Sequence, residues 1–146
     1  MAAMGALAGS IAVRRYRVLG APPADFKESF DKSVRAHALV PVDPSRNEDR
    51  SIGWCSLHDE NDLDLNFGKF YFDERIILSL RVDVLKPPAA QVKRLLQQRK
   101  NELEAQRHAP LSAGALRDLK AILIAELRQK TPPKTKTVDM VWELAS

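Results

Sequence analysis

With 146 residues, 45% of them hydrophobic and 29% charged, the chain has enough apolar surface for a folded core and lacks the composition of a disordered segment. No apolar run reaches the roughly 18 residues that cross a bilayer; the start has no basic flank of a secretory signal, and the single cysteine, Cys55, excludes an internal disulfide or a cysteine-cluster zinc site. The net charge of +4 is unevenly spread: twelve Lys/Arg and four acids between Lys86 and Lys136 give that span +8, which leaves −4 for the rest. Such asymmetry sets up a local positive field that attracts polyanions.

Residues 1–10 are expected to be a flexible tail and 11–146 a single α+β domain. Ile11 to Leu19 (IAVRRYRVL) is rich in β-formers and ends at Gly20 and Pro22-Pro23, so it reads as a strand. Asp25 and Glu28 have capping-box spacing, and Phe26, Phe30, Val34 and Ala38 form one stripe of a helix from about Pro23 to Ala38. Pro41 to Arg50 reads as a loop, Ser51 to Leu57 as a short strand and His58 to Asn66 as an acidic turn. Lys69 to Phe72 and Arg75 to Leu85 read as two strands joined at Asp73-Glu74. In the second, Ile76, Leu78, Leu80, Val82 and Val84 make an apolar face.

Pro87-Pro88 then opens a helix over about Ala89 to Arg107, with Val92, Leu95, Leu96, Arg99 and Leu103 on its inner line. Pro110 interrupts it, and Ser112 caps a second helix to about Gln129 whose inner line is Leu116, Leu119, Ile122/Leu123 and Leu127. Thr131 to Thr137 reads as a basic loop and Val138 to Leu144 as a last strand. The order β-α-β-β-β-α-α-β points to an α+β fold with an antiparallel sheet and amphipathic helices. A chain ending at Ser146, directly after a strand, is what a fragment or shortened family member would show.

No nucleotide-binding, hydrolase or metalloprotease motif is present. His37, His58 and His108 stand apart and suit surface or capping positions. A Cys55-His58 nucleophile would need an electropositive pocket, yet Asp59, Glu60 and Asp62 follow it. Those acids and Asp64 are the best metal candidates, but all lie in one turn, so no metal and no catalytic residue is expected. The stronger pattern is cationic. Lys93, Arg94 and Lys100 lie off the apolar line of the first long helix, and Arg117, Lys120 and Arg128 off that of the second. Lys86 precedes both, and Lys130, Lys134 and Lys136 punctuate the loop that follows. These ten side chains are the expected phosphate contacts, which add affinity that is salt-dependent and blind to sequence.

The succession of an opening strand ending in Tyr16-Arg17, then Gly53-Trp54, the Ile77 to Leu85 strand running into Lys86-Pro87-Pro88, a long charged helix, a second helix through Leu119-Lys120-Ala121-Ile122-Leu123, and Met140-Val141-Trp142 resembles the N-terminal half of the recombination-associated protein RdgC family over about Ile11 to Leu144. The lack of a targeting segment points to the cytoplasm, and the resemblance implies a nucleoid-associated, dimeric protein that binds double-stranded DNA without sequence preference and restrains RecA-type strand exchange. It implies no cofactor, membrane or small-molecule substrate. The family's arginine-phenylalanine finger aligns with Lys130 to Lys134, where prolines replace the aromatic, so phosphate contact is expected without a wedge. Two alternatives stand beside it: a protein-interaction module using the basic helices or the acidic turn, and a metal-dependent exonuclease.

Overall fold

The four-residue spacing of Phe26, Phe30 and Val34 becomes helix α1, Phe26–Ala36, in the computed structural model, which describes residues 12–46 and 48–144. The elements that follow are β1 (Arg50–Cys55), α2 (Phe67–Phe70), β2 (Tyr71–Phe72), β3 (Arg75–Val84), α3 (Ala89–Arg107), α4 (Ala113–Lys130) and β4 (Lys134–Glu143). The class is α+β with a four-stranded antiparallel sheet in which β3 pairs with β1, β2 and β4. The expected tail at 1–10 lies outside the described residues. Those residues divide into two compact units, one from 12–41, 51–82 and 135–144 and the other from 42–46, 48–50 and 83–134.

The first unit is built on α1 and most of the sheet. Val34, Leu65, Phe70, Ile76 and Leu78 are buried at its centre. Phe26, Phe30, Trp142, Trp54 and Tyr71 close around them, with Phe26 edge-on to Trp142 at a centroid distance of 5.4 Å. β2 and β3 form a hairpin in register Tyr71↔Ile76 and Phe72↔Arg75. Its two-residue turn takes Asp73 to φ 45° and Glu74 to φ 62°, the left-handed pair that a tight hairpin of the right twist requires. In the second unit α3 and α4 pack as a helical hairpin, with Val92, Leu123 and Leu127 buried and Leu95, Leu96 and Ile124 beside them. His108 ends α3 in the left-handed conformation, and the Ser112 hydroxyl caps α4 by accepting the Ala115 N–H at 3.1 Å.

Several local expectations change. The strand expected at Ile11 to Leu19 does not form over its described part: residues 12–19 are irregular and exposed, and without a neighbouring strand their backbone groups are left to water. Residue Ile11 lies outside the described residues. The capping box at Asp25 is absent because its side chain makes no cap bond; instead the Phe26 N–H donates to Pro23 O at 3.0 Å. The strand expected at Lys69 to Phe72 begins only at Tyr71. Asn66 caps one helical turn there, and its side chain accepts the Lys69 N–H at 3.2 Å. β1 ends at Cys55, since the Ser56 N–H turns away to Asp62 O at 3.1 Å. Near the end of β3 the alternation inverts, with Asp83 buried and Val84 exposed. β4 starts at Lys134, four residues before the strand expected from Val138, because the β-branched Thr135 and Thr137 suit a pleated strand.

One glycine is fixed by close approach. The segment after α1 runs onto β1 through a parallel bridge, Ala38↔Trp54, with the Leu39 N–H donating to Trp54 O at 2.9 Å and the Trp54 N–H to His37 O at 3.0 Å. A Cβ on Gly53 would stand 2.5 Å from Leu39 N and 2.8 Å from Ala38 C, inside any backbone contact distance. Gly53→Ala should therefore push the segment off β1 and cost about 1–3 kcal/mol, the usual range for overpacking, measured by urea denaturation.

Candidate nucleic-acid interface

The ten expected phosphate contacts occupy different settings. Lys86 precedes α3 and is exposed; Lys93 and Arg94 are exposed in the first turns of α3, and Arg117 and Lys120 are exposed on α4. Lys130 is exposed at the end of α4. Lys134 and Lys136 are exposed on β4, where a two-residue step puts both on one face of the strand rather than in a loop. The non-regular basic connection thus shrinks to Thr131-Pro132-Pro133.

Two of the ten are less available. Lys100 is half-buried and pairs with Glu104 at 4.0 Å, while Arg128 is half-buried with a bonding partner of its own. Three of the four acids of this span are also occupied. Glu126 takes Arg99 at 3.6 Å between α4 and α3, Glu102 accepts from Gln98 at 3.4 Å, and Glu104 also accepts the Leu111 N–H at 3.0 Å. Arg99, expected on the inner line of α3, is therefore exposed and held by an ion pair. Among the described residues no carboxylate reaches ion-pair distance of Lys86, Lys93, Arg94, Arg117, Lys120, Lys130, Lys134 or Lys136. Their charge is open to solvent and to any polyanion, screened over roughly 8 Å at physiological salt.

In the acidic turn, backbone N–H groups and one lysine engage three of the four carboxylates. The Asp59 carboxylate accepts the Asn61 N–H at 2.9 Å, and that of Asp62 accepts the Asp64 N–H at 3.1 Å. The Lys69 ammonium, a cation that no sequence motif marks, lies 2.9 Å from Asp62 Oδ2 and donates to Asp64 O at 2.6 Å. Among the described residues no group of three or more His, Cys, Asp or Glu side chains could hold a metal ion. Cys55 is fully buried with its thiol on Ser79 O at 3.5 Å, whereas His58 is exposed with its ring edge-on to Phe72. His37 bonds back to Ser33 O through Nδ1 at 2.8 Å. No helix among the described residues is long and apolar enough to cross a membrane.

The hydrogen bond from Lys69 holds the Asp62 carboxyl below the ordinary aspartate value, and the same bond raises the Lys69 ammonium above the ordinary lysine value. Asp62's contribution is complete above the ordinary aspartate range and is lost as pH falls through its lowered value. Lys69's is complete below the ordinary lysine range and is lost as pH rises through its raised value. In Lys69→Met the Asp62 carboxyl should titrate at higher pH than in the wild type, read from carboxyl-carbon NMR. An unchanged midpoint would remove Lys69 as the cause. Compared with protein-family models and with curated proteins, the chain matches none.

Proposed function

We propose that the cationic span binds the phosphate backbone of double-stranded DNA without sequence preference, in a role in recombination that restrains RecA-type strand exchange at the nucleoid, as the resemblance to the RdgC family implies. The observation that carries this reading is the set of eight exposed lysines and arginines that no described carboxylate neutralises, while three of the four acids of the same span are bound to other partners. Ammonium and guanidinium groups in that state bind phosphate oxygens and release the counterions condensed on DNA, a gain in entropy that every sequence offers equally.

The contact is by charge alone. Pro132 and Pro133 stand where the family has an aromatic, so no ring inserts between bases. The binder in this reading is not an enzyme and needs no cofactor. The exonuclease alternative has little support in the acidic turn, where Lys69 supplies the positive charge that a metal ion would otherwise bring.

Titration of a fluorescent duplex by anisotropy should show binding that falls steeply with salt and is equal for unrelated sequences. Replacing Lys130, Lys134 and Lys136 by Ala should weaken it for all sequences alike and flatten the plot of log affinity against log salt by about 0.9 for each phosphate contact removed. Absence of duplex binding at low salt would refute the reading.

A further inference from the structure

A second cationic stretch lies far from the span Lys86 to Lys136. The first charged side chains of the chain are Arg14, Arg15 and Arg17, and no acid precedes Asp25. Residues 12–19 are exposed along their whole length and enter no helix or strand. Tyr16 and Leu19, which a fold would ordinarily cover, are 79% and 83% exposed, so the segment stands clear of both cores. Among the described residues no carboxylate reaches ion-pair distance of the three arginines. Guanidinium groups without an intramolecular partner are open to an external anion.

We propose that this segment is an arm that makes a second contact with duplex DNA, its three arginines on phosphate oxygens. The inference rests on the duplex reading of the cationic span for its partner, and adds a site outside that span. The charge density fits. From Arg14 to Arg17 an extended chain covers at most about 11 Å, and over that length one DNA strand carries roughly three phosphates. The distribution fits as well. In an extended chain Arg15 and Arg17 share one side with Val13 and Leu19, while Arg14 shares the other with Tyr16 and Val18. Cations on both sides suit an arm lying between two rows of phosphates. They do not suit a lipid surface, which selects a segment whose apolar and basic faces are separate.

The residues that follow the arm give it a fixed root and a pivot. Phe26, the first residue of α1, is held edge-on to Trp142 at 5.4 Å, and its N–H donates to Pro23 O at 3.0 Å. Pro22 and Pro23 lock their own φ angles, so the chain leaves α1 through a stiff root. Beyond them Gly20 stands at φ 103°, and a Cβ there would meet nothing within 4 Å. The glycine is thus required by the turn of the backbone and not by packing, and the arm changes direction there. Ordering the arm on DNA costs backbone entropy, which bidentate guanidinium–phosphate bonds and counterion release offset.

Limited trypsin digestion read by mass spectrometry, with and without a duplex at low salt, tests the arm directly. Cleavage after Arg14, Arg15 and Arg17 should slow at least about tenfold when the duplex is bound. Arg14→Ala, Arg15→Ala and Arg17→Ala together should weaken duplex affinity at least about tenfold. They should also flatten the plot of log affinity against log salt by up to about 2.7, at about 0.9 for each contact. Lysine at the same three positions should keep most of that slope, because charge sets it. Unchanged near-ultraviolet dichroism from Trp54 and Trp142 would show that each variant keeps its fold. A wild type that binds duplex while its arm is cut as fast as in the free protein overturns the arm and leaves the Lys86 to Lys136 reading standing. An alanine variant with wild-type affinity and slope does the same. Protection by anionic phospholipid vesicles but not by duplex also overturns it, and a wild type that binds no duplex overturns both.

Discussion

Every strand of the sheet depends on one other strand, β3. It carries Ile76 and Leu78 into the core of the first unit and holds β1, β2 and β4 on its own edges. Its register against β4 is set by three contacts that step in opposite directions along the two segments. Leu144 donates its N–H to Glu74 O at 3.0 Å, Arg75 reaches Glu143 at 3.3 Å, and the Ser79 hydroxyl donates to Asp139 at 2.6 Å. A slip of one residue would break all three and turn Met140 and Trp142 from the core to the opposite face. The buried Ser79 is thus part of what fixes the register, since a polar side chain at that depth is costly without its partner.

The parts legible in the sequence are those where one local signal decides. The Phe26, Phe30 and Val34 stripe has helical period, Pro87-Pro88 and Ser112 mark helix starts, and Asp73-Glu74 interrupts two apolar runs; each feature stands where its pattern places it. The misplaced parts are those decided by neighbours distant in sequence. Residues 12–19 have the composition of a strand, but a strand exists only where another edge accepts it. The single turn of α2 is too short to show a period, and its cap at Asn66 is legible only once Lys69 is known to turn back. At Asp83 and Val84 strict alternation fails because burial on a central strand does not follow one face along its whole length.

The candidate interface divides along the same line. Its location between Lys86 and Lys136 is visible as a charge imbalance, because charge is additive along a chain. The availability of each cation is not additive. Arg99 is tied to Glu126 across the hairpin, a pairing of residues far apart in sequence, and Arg128 is half-buried although helical spacing grouped it with Arg117 and Lys120. In the acidic turn the reverse holds. Four carboxylates in a short run suggest a cation site, and the fold fills it with Lys69, which only a bend of the chain brings near.

Lys69 and the cationic span therefore represent two treatments of the same electrostatic cost. In the acidic turn, repulsion among carboxylates is relieved inside the fold, by an ammonium and by backbone N–H groups. In the helical hairpin, Arg99 and Lys100 find acids, and the exposed cations beyond them do not. That hairpin buries only Val92, Leu123 and Leu127 at its centre, so its own packing has modest reserves against like-charge repulsion. A surface of this kind is more stable with a counter-charge upon it, and any polyanion that binds only the folded state shifts the folding equilibrium in its favour. The charges that weaken the free hairpin would then be those that strengthen the bound one.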